Sequence, residues 1–247
     1  MATIDEKIAL LYADAAQTKA NRDMVEELRR SVEQGDLGAR SRLIEILRNG
    51  LYGVPSNHSA AYDLAAEGKK QDDPNCTALY WTFRLNKDFP EKTAEAIVKL
   101  IPFVKEGNVH ALAWLGAYYT FHVPASKEEG IQMLQQAAEL EDSYAIHHTA
   151  LCLMMGNGLP KDKVAAYQLF QQLADQGYQP AMYEVGVSFY YANGVAENKT
   201  LGKEWLRKAS DAGHAEAYHL LRDIGKKESG VWYLGGCSVD TQPPLPR

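Results

Sequence analysis

The sequence predicts an all-α fold, a right-handed superhelical solenoid of stacked two-helix repeats. Three observations carry that expectation: a period near 36 residues, small and apolar side chains at helical spacing inside each period, and turn chemistry between its two halves. The period shows in the C-terminal half, where Leu169–Ala181 (LFQQLADQGYQPA) superposes on Trp205–Ala217 (WLRKASDAGHAEA). Extending that register backwards places equivalent markers at Gly35, Asp72, Gly107, Glu141, Gly177 and Gly213, with steps of 37, 35, 34, 36 and 36 residues.

Each unit then repeats one pattern. Four residues after the marker a small residue opens a first helix: Ala39, Cys76, Ala111, Ala145, Ala181 and Ala217. Four and eight residues further on lie mainly apolar groups, among them Leu43 and Leu47, Leu115 and Tyr119, Val185 and Phe189, which is the spacing of one helix face. A second helix carries a small residue eleven positions before the next marker: Ala61, Ala96, Gly130, Ala166 and Gly202. Glycine inside a helix costs about 1 kcal/mol relative to alanine, so its recurrence at one register position predicts close approach of two helices. Gly156, Gly158 and Pro160, and Asn193 with Gly194, supply the turns between helices, and Asp162 and Asn198 are expected N-caps.

At these residues the chain resembles the Sel1-like repeat family, a relative of the tetratricopeptide repeats. The matching features are the Ala-x-x-x-Leu-Gly-x-x-Tyr string at Ala111, Leu115, Gly116 and Tyr119, the Gly-x-Gly turn at Gly156 and Gly158, and the Ala-x-x-Gly marker string ending at Gly177, repeated at Gly213 with Ser210 in the alanine position. The resemblance runs from about Leu37 to Ile224 and is strongest over Ala111–Leu221. It weakens in the units opened by Ala39 and Cys76; the turn at His122–Pro124 lacks both glycines, and the marker at 141 is a glutamate.

Three regions follow. Residues 1–36 are expected to form a degenerate capping pair, with helices near Ile4–Ala16 and Asn21–Glu33. Residues 37–227 hold the repeat array. Residues 228–247 depart from the repeat, with Val231–Leu234 as a hydrophobic clasp over the last helix and a Pro-rich stretch, Pro243–Pro246, favouring extended polyproline II.

Composition narrows the function classes. Hydrophobic residues at 46% and charged residues at 23% suit a folded soluble chain. A net charge of -6, without a Lys/Arg cluster, argues against nucleic acid as partner. No segment reaches the roughly 18 apolar residues that span a bilayer, and no signal peptide precedes the first helix, so no membrane association and a cytoplasmic home are expected. The three scattered cysteines, Cys76, Cys152 and Cys237, read as free thiols in a reducing compartment, whereas the resemblance implies paired cysteines in secreted members. Nucleophile, phosphate-loop and zinc motifs are missing, and His148 with Cys152 makes only half a metal site; no catalytic residue, metal or cofactor is expected.

By analogy with tetratricopeptide repeats, the first helix of each pair lines the concave face. That assigns partner contact to His110, Phe121, Tyr144, His147, Met154, Met155, Tyr183, Tyr190, Tyr191 and His219, residue types that combine apolar area with adaptable or polar ends. The equivalent N-terminal positions, Ser41, Glu45, Arg48 and Asn49, are polar, so contact is expected towards the C-terminal half. The expected function is a non-enzymatic scaffold or adaptor for another protein or peptide, with no indication of oligomeric state. The alternative is a bacterial immunity or inhibitor protein that neutralises a toxin by occlusion.

Overall fold

The computed structural model describes the backbone of residues 4–228 and the side chains of residues 19–227. Cys237, the clasp at Val231–Leu234 and the Pro-rich stretch lie outside the described residues. Among those described there is no strand, and the chain forms α1 (Ile4–Glu33), α2 (Leu37–Asn49), α3 (His58–Lys70), α4 (Pro74–Thr82), α5 (Pro90–Lys105), α6 (Val109–His122), α7 (Lys127–Glu139), α8 (Ser143–Met155), α9 (Lys163–Asp175), α10 (Gln179–Tyr191), α11 (Lys199–Asp211) and α12 (Ala215–Glu228). Successive helices pack on one another along the whole array, giving a right-handed solenoid of helix pairs. In place of the two helices read from the sequence before residue 34, α1 runs unbroken for 30 residues. Residues 17–20, Gln-Thr-Lys-Ala, hold neither glycine nor proline to stop it.

All six markers adopt a left-handed backbone, with φ between 56° and 97°. This one conformation ends a second helix and turns the chain into the next unit. Four units use glycine, which enters that region without a Cβ clash; Asp72 and Glu141 enter it with side chains. The residue after the marker then caps the next helix. Asp36, Asp73, Asn108 and Asp142 each accept, through a side-chain oxygen, the N–H of Ala39, Cys76, Ala111 and Ala145, and His214 Nδ1 accepts that of Ala217. Tyr178, which cannot cap in this way, is buried instead. Asp162 and Asn198 also cap as expected.

The small residues do what their recurrence predicted. Ala61, Ala96 and Ala166 are fully buried. At the α6–α7 crossing a Cβ added to Gly116 would lie 2.9 Å from the Gly130 carbonyl, and one added to Gly130 would lie 2.6 Å from the Thr120 nitrogen. Gly186 and Gly202 repeat the arrangement between α10 and α11. In both pairs backbone rests against backbone, and a methyl group would force the helices apart.

The superhelix is tight enough for its ends to meet. One apolar cluster runs from Leu43, Ile46 and Leu47 of α2 to Ala150, Phe170 and Tyr178 in the fourth and fifth units. Beyond the end of α2, Gly50 lies so close to Gln179, at the start of α10, that an added Cβ would stand 2.5 Å from its Oε1. The Gln179 amide in turn donates to the Ala212 carbonyl at 2.9 Å.

Candidate functional site

The inner side, where the main cavities lie, is lined by α2, α6, α8, α10 and α12, and the closure just described decides which of its side chains are accessible. Across its middle, a stack of flat groups links four units. The guanidinium carbon of Arg48 lies 3.8 Å from the Phe83 ring centroid and 3.2 Å from that of Trp114. Trp114 stacks on Tyr144 at 3.6 Å and 17°, and Tyr144 lies 4.0 Å from His148. Arg48 also donates to Thr82 Oγ1. Among the described residues no carboxylate reaches ion-pair distance of this fully buried cation, whose pKa is pulled down by burial to about 9, so it stays charged at neutral pH.

Two cavities flank the stack. One, of about 280 Å³, is lined by Leu85, Tyr118, Phe121, Tyr144, His148 and Leu151. The other, of about 360 Å³, lies between Arg48, His58, His147, Tyr178 and His214. His147 has both ring nitrogens buried without a hydrogen-bond partner, and burial holds its pKa well below the usual histidine range. It packs against Phe170 and Tyr178.

A third cavity, of about 270 Å³, borders Glu45, His110 and Asp142. His110 Nδ1 is 3.1 Å from Glu45 Oε1 and 4.0 Å from Asp142 Oδ2. Burial acts to lower the pKa of His110, but Glu45 and then Asp142 outweigh it and the net shift is upward. Burial, followed by the charge of Glu45, lifts Asp142 to about 6 against its bonds to backbone amides.

The residues assigned to the concave face divide accordingly. His110 and His147 are buried, His110 beside Glu45 of α2 and Asp142, and His147 against Phe170 and Tyr178. Phe121 and Tyr144 are half-buried and meet at the 280 Å³ cavity. Met154 is half-buried against the large apolar cluster, while Met155 is exposed. Tyr183 stacks on His214 at 4.7 Å, Tyr190 packs into a small cluster with Leu206, and Tyr191 and His219 are exposed. The ten residues thus form no single surface. Trp114, Tyr118 and His148, which sequence reasoning did not assign, complete the middle patch. Trp114 lies four positions after the assigned His110, on the same side of the helix, and spacing alone does not say which of the two stays open to the cavities. Neither sequence spacing nor composition marked Glu45 as a neighbour of His110.

The sequence model of the Sel1 repeat matches residues 34–73, 109–142, 143–178 and 179–214, more than half of the chain. The chain belongs to the Sel1 repeat family. The unmatched stretch between these segments, 74–108, is the unit in which the Leu-Gly pair is lost; there the first helix, α4, shrinks to nine residues and α5 extends to sixteen. The unit opened by Ala39, with its weaker resemblance, is matched. Among solved structures, a Sel1 repeat protein from Oxalobacter formigenes is 27% identical over 51% of this chain and 96% of its own, with a TM-score of 0.44. The protective antigen c5321 of uropathogenic Escherichia coli, which displays an SLR fold, is 22% identical over 81% of this Sel1 chain, with a TM-score of 0.52; the match spans 44% of c5321. Immunity protein Pa5087 from Pseudomonas aeruginosa is 19% identical over 82% of this chain and 83% of its own, with a TM-score of 0.45. Comparison with curated proteins gives no match. No helix of the described residues is long and apolar enough to cross a membrane.

Proposed function

We propose that this Sel1 repeat protein is a non-enzymatic scaffold that holds another protein through an extended segment laid across its inner face between α6 and α8. The observation that carries the reading is the aromatic patch of Phe121, Tyr144, Tyr118 and His148 beside a buried guanidinium that no carboxylate meets at ion-pair distance. Aromatic side chains offer large contact area at little conformational cost, and they dominate binding energy where they anchor a partner. The positive charge of Arg48, offset only at longer range by Glu45, favours a segment with an acidic side chain. Met155, Tyr191 and His219 lie exposed at the C-terminal edge, where a longer partner extends the contact. The narrower role of a toxin-occluding immunity protein has no feature of its own in the described residues.

The test is selection from a phage-displayed random peptide library on the purified full-length chain. Peptides combining an apolar anchor with Asp or Glu are the expected outcome. Phe121→Ala should weaken them about 30-fold, the equivalent of about 2 kcal/mol, while its melting curve stays at the parent's. Peptides that bind Phe121→Ala as tightly as the parent, or a library that yields no binder, overturn the assignment.

A further inference from the structure

We propose that Glu45, His110 and Asp142 form a binding site for one divalent transition-metal ion, with zinc the best-fitting common one, and that the bound ion fastens the first, third and fourth units together. The three residues come from α2, the second residue of α6 and the cap of α8, yet one ligand atom from each lies within 4.8 Å of the other two. A tetrahedral ion with bonds of about 2.0–2.1 Å sets its ligand atoms about 3.3 Å apart. The His110–Glu45 and His110–Asp142 separations, 3.1 and 4.0 Å, bracket that value.

Three further features point to a ligand. His110 Nδ1 is buried, and its near neighbour, the Glu45 carboxylate at 3.1 Å, is out of line for a well-formed hydrogen bond. Asp142 Oδ1 is already committed to the Ala145 N–H at 2.8 Å, which leaves Oδ2 turned towards His110. Once the ion takes the place of the His110 proton, two carboxylates and a neutral imidazole carry two negative charges, the number a divalent ion neutralises, in a place where one of the carboxylates is almost fully buried. One nitrogen with two carboxylate oxygens suits zinc, cobalt or manganese better than calcium or magnesium, which favour all-oxygen shells. Three protein ligands leave a fourth position for water or a small anion, and the adjoining 270 Å³ cavity has room for either. Glu45, the most exposed side chain of the three, is the freest to adjust to an ion, and the 4.0 Å His110–Asp142 gap must also close by about 0.7 Å.

The experiment uses the untagged full-length chain, stripped with EDTA and titrated with zinc chloride by calorimetry, alongside cobalt absorption and thermal melting. The expected result is one equivalent of zinc, a higher melting temperature with zinc, and the d–d bands of four-coordinate cobalt. Asp142→Asn keeps the cap, because asparagine caps as well as aspartate, and Glu45→Gln keeps the shape. Each should weaken zinc at least 10-fold while melting in EDTA stays close to the parent's. Absence of zinc binding overturns the proposal, and so does binding that neither variant weakens, since the ion then sits on other histidines.

Discussion

Glu141 holds a left-handed backbone, φ 60°, where four of the six units carry glycine. A side chain there costs about 1 kcal/mol in steric strain, so Glu141→Gly should stabilise the chain by up to that amount, read as a raised urea midpoint. Asp72→Gly should gain less, because aspartate tolerates the region better than glutamate does. Glu184 gives a second prediction. Burial lifts its carboxyl to about 7 from an ordinary 4.5, so the folded state favours the protonated form. The sign follows: its contribution is fully present below pH 4.5 and is lost as pH rises towards and through 7. The melting temperature of Glu184→Gln should therefore gain on the parent's between pH 5 and 8; a constant difference across that range counts against the shift. The markers and caps were legible residue by residue because a left-handed turn and a helix N-terminus each admit few side chains. Glu184 was not, since nothing local separates a buried glutamate from an exposed one.

Tyr190 and Tyr191, neighbours on α10, share their chemistry and differ in environment. Tyr190 sits on the α10–α11 crossing, where a Cβ added to Gly202 would lie 3.1 Å from its own Cβ, and Tyr191 is half exposed. Tyr190→Ala should cost about 3 kcal/mol of stability, as large aromatic truncations in a packed interface do, while Tyr191→Ala should melt within about 0.5 kcal/mol of the parent. Equal melting of the two variants refutes this packing assignment. At this scale the sequence was most informative about the helix pairs, because the Gly116–Gly130 and Gly186–Gly202 contacts are local and recur. It misled at α1, where two short helices were expected, and was weakest at α4–α5. In that unit the Leu-Gly pair that marks a first helix is absent, and only the period places it.

In a simple linear array each unit touches only its neighbours, and stability divides into nearest-neighbour terms. Here Gly50 meets Gln179, and Arg48 reaches Trp114 and Tyr144 across the interior. Unfolding should accordingly be one concerted transition, with helix loss and tryptophan fluorescence superimposing in urea. Gln179→Ala, which removes part of the contact, should lower the midpoint and widen the molecule in small-angle scattering. Two separated transitions in the parent would mean that the ends do not cooperate. None of this long-range closure was legible beforehand. Glu45 and Arg48 read as polar surface on α2 because periodicity reports which face of a helix a residue occupies; it does not report what a distant unit brings against that face.

The stack from Phe83 through Arg48, Trp114 and Tyr144 to His148 also fixes how many units the chain can have. Tandem arrays ordinarily lengthen by duplicating a unit, and the new copy is accepted because each junction resembles the last. A copy inserted between α2 and α8 would rotate and advance everything downstream by one step. Tyr144 and Gln179 would then no longer arrive opposite Arg48 and Gly50, leaving a guanidinium without its aromatic neighbours and α2 without the surface it covers. Duplication, the cheapest route by which such genes grow, is thereby closed to this stretch of the chain, and added units are tolerated only outside it.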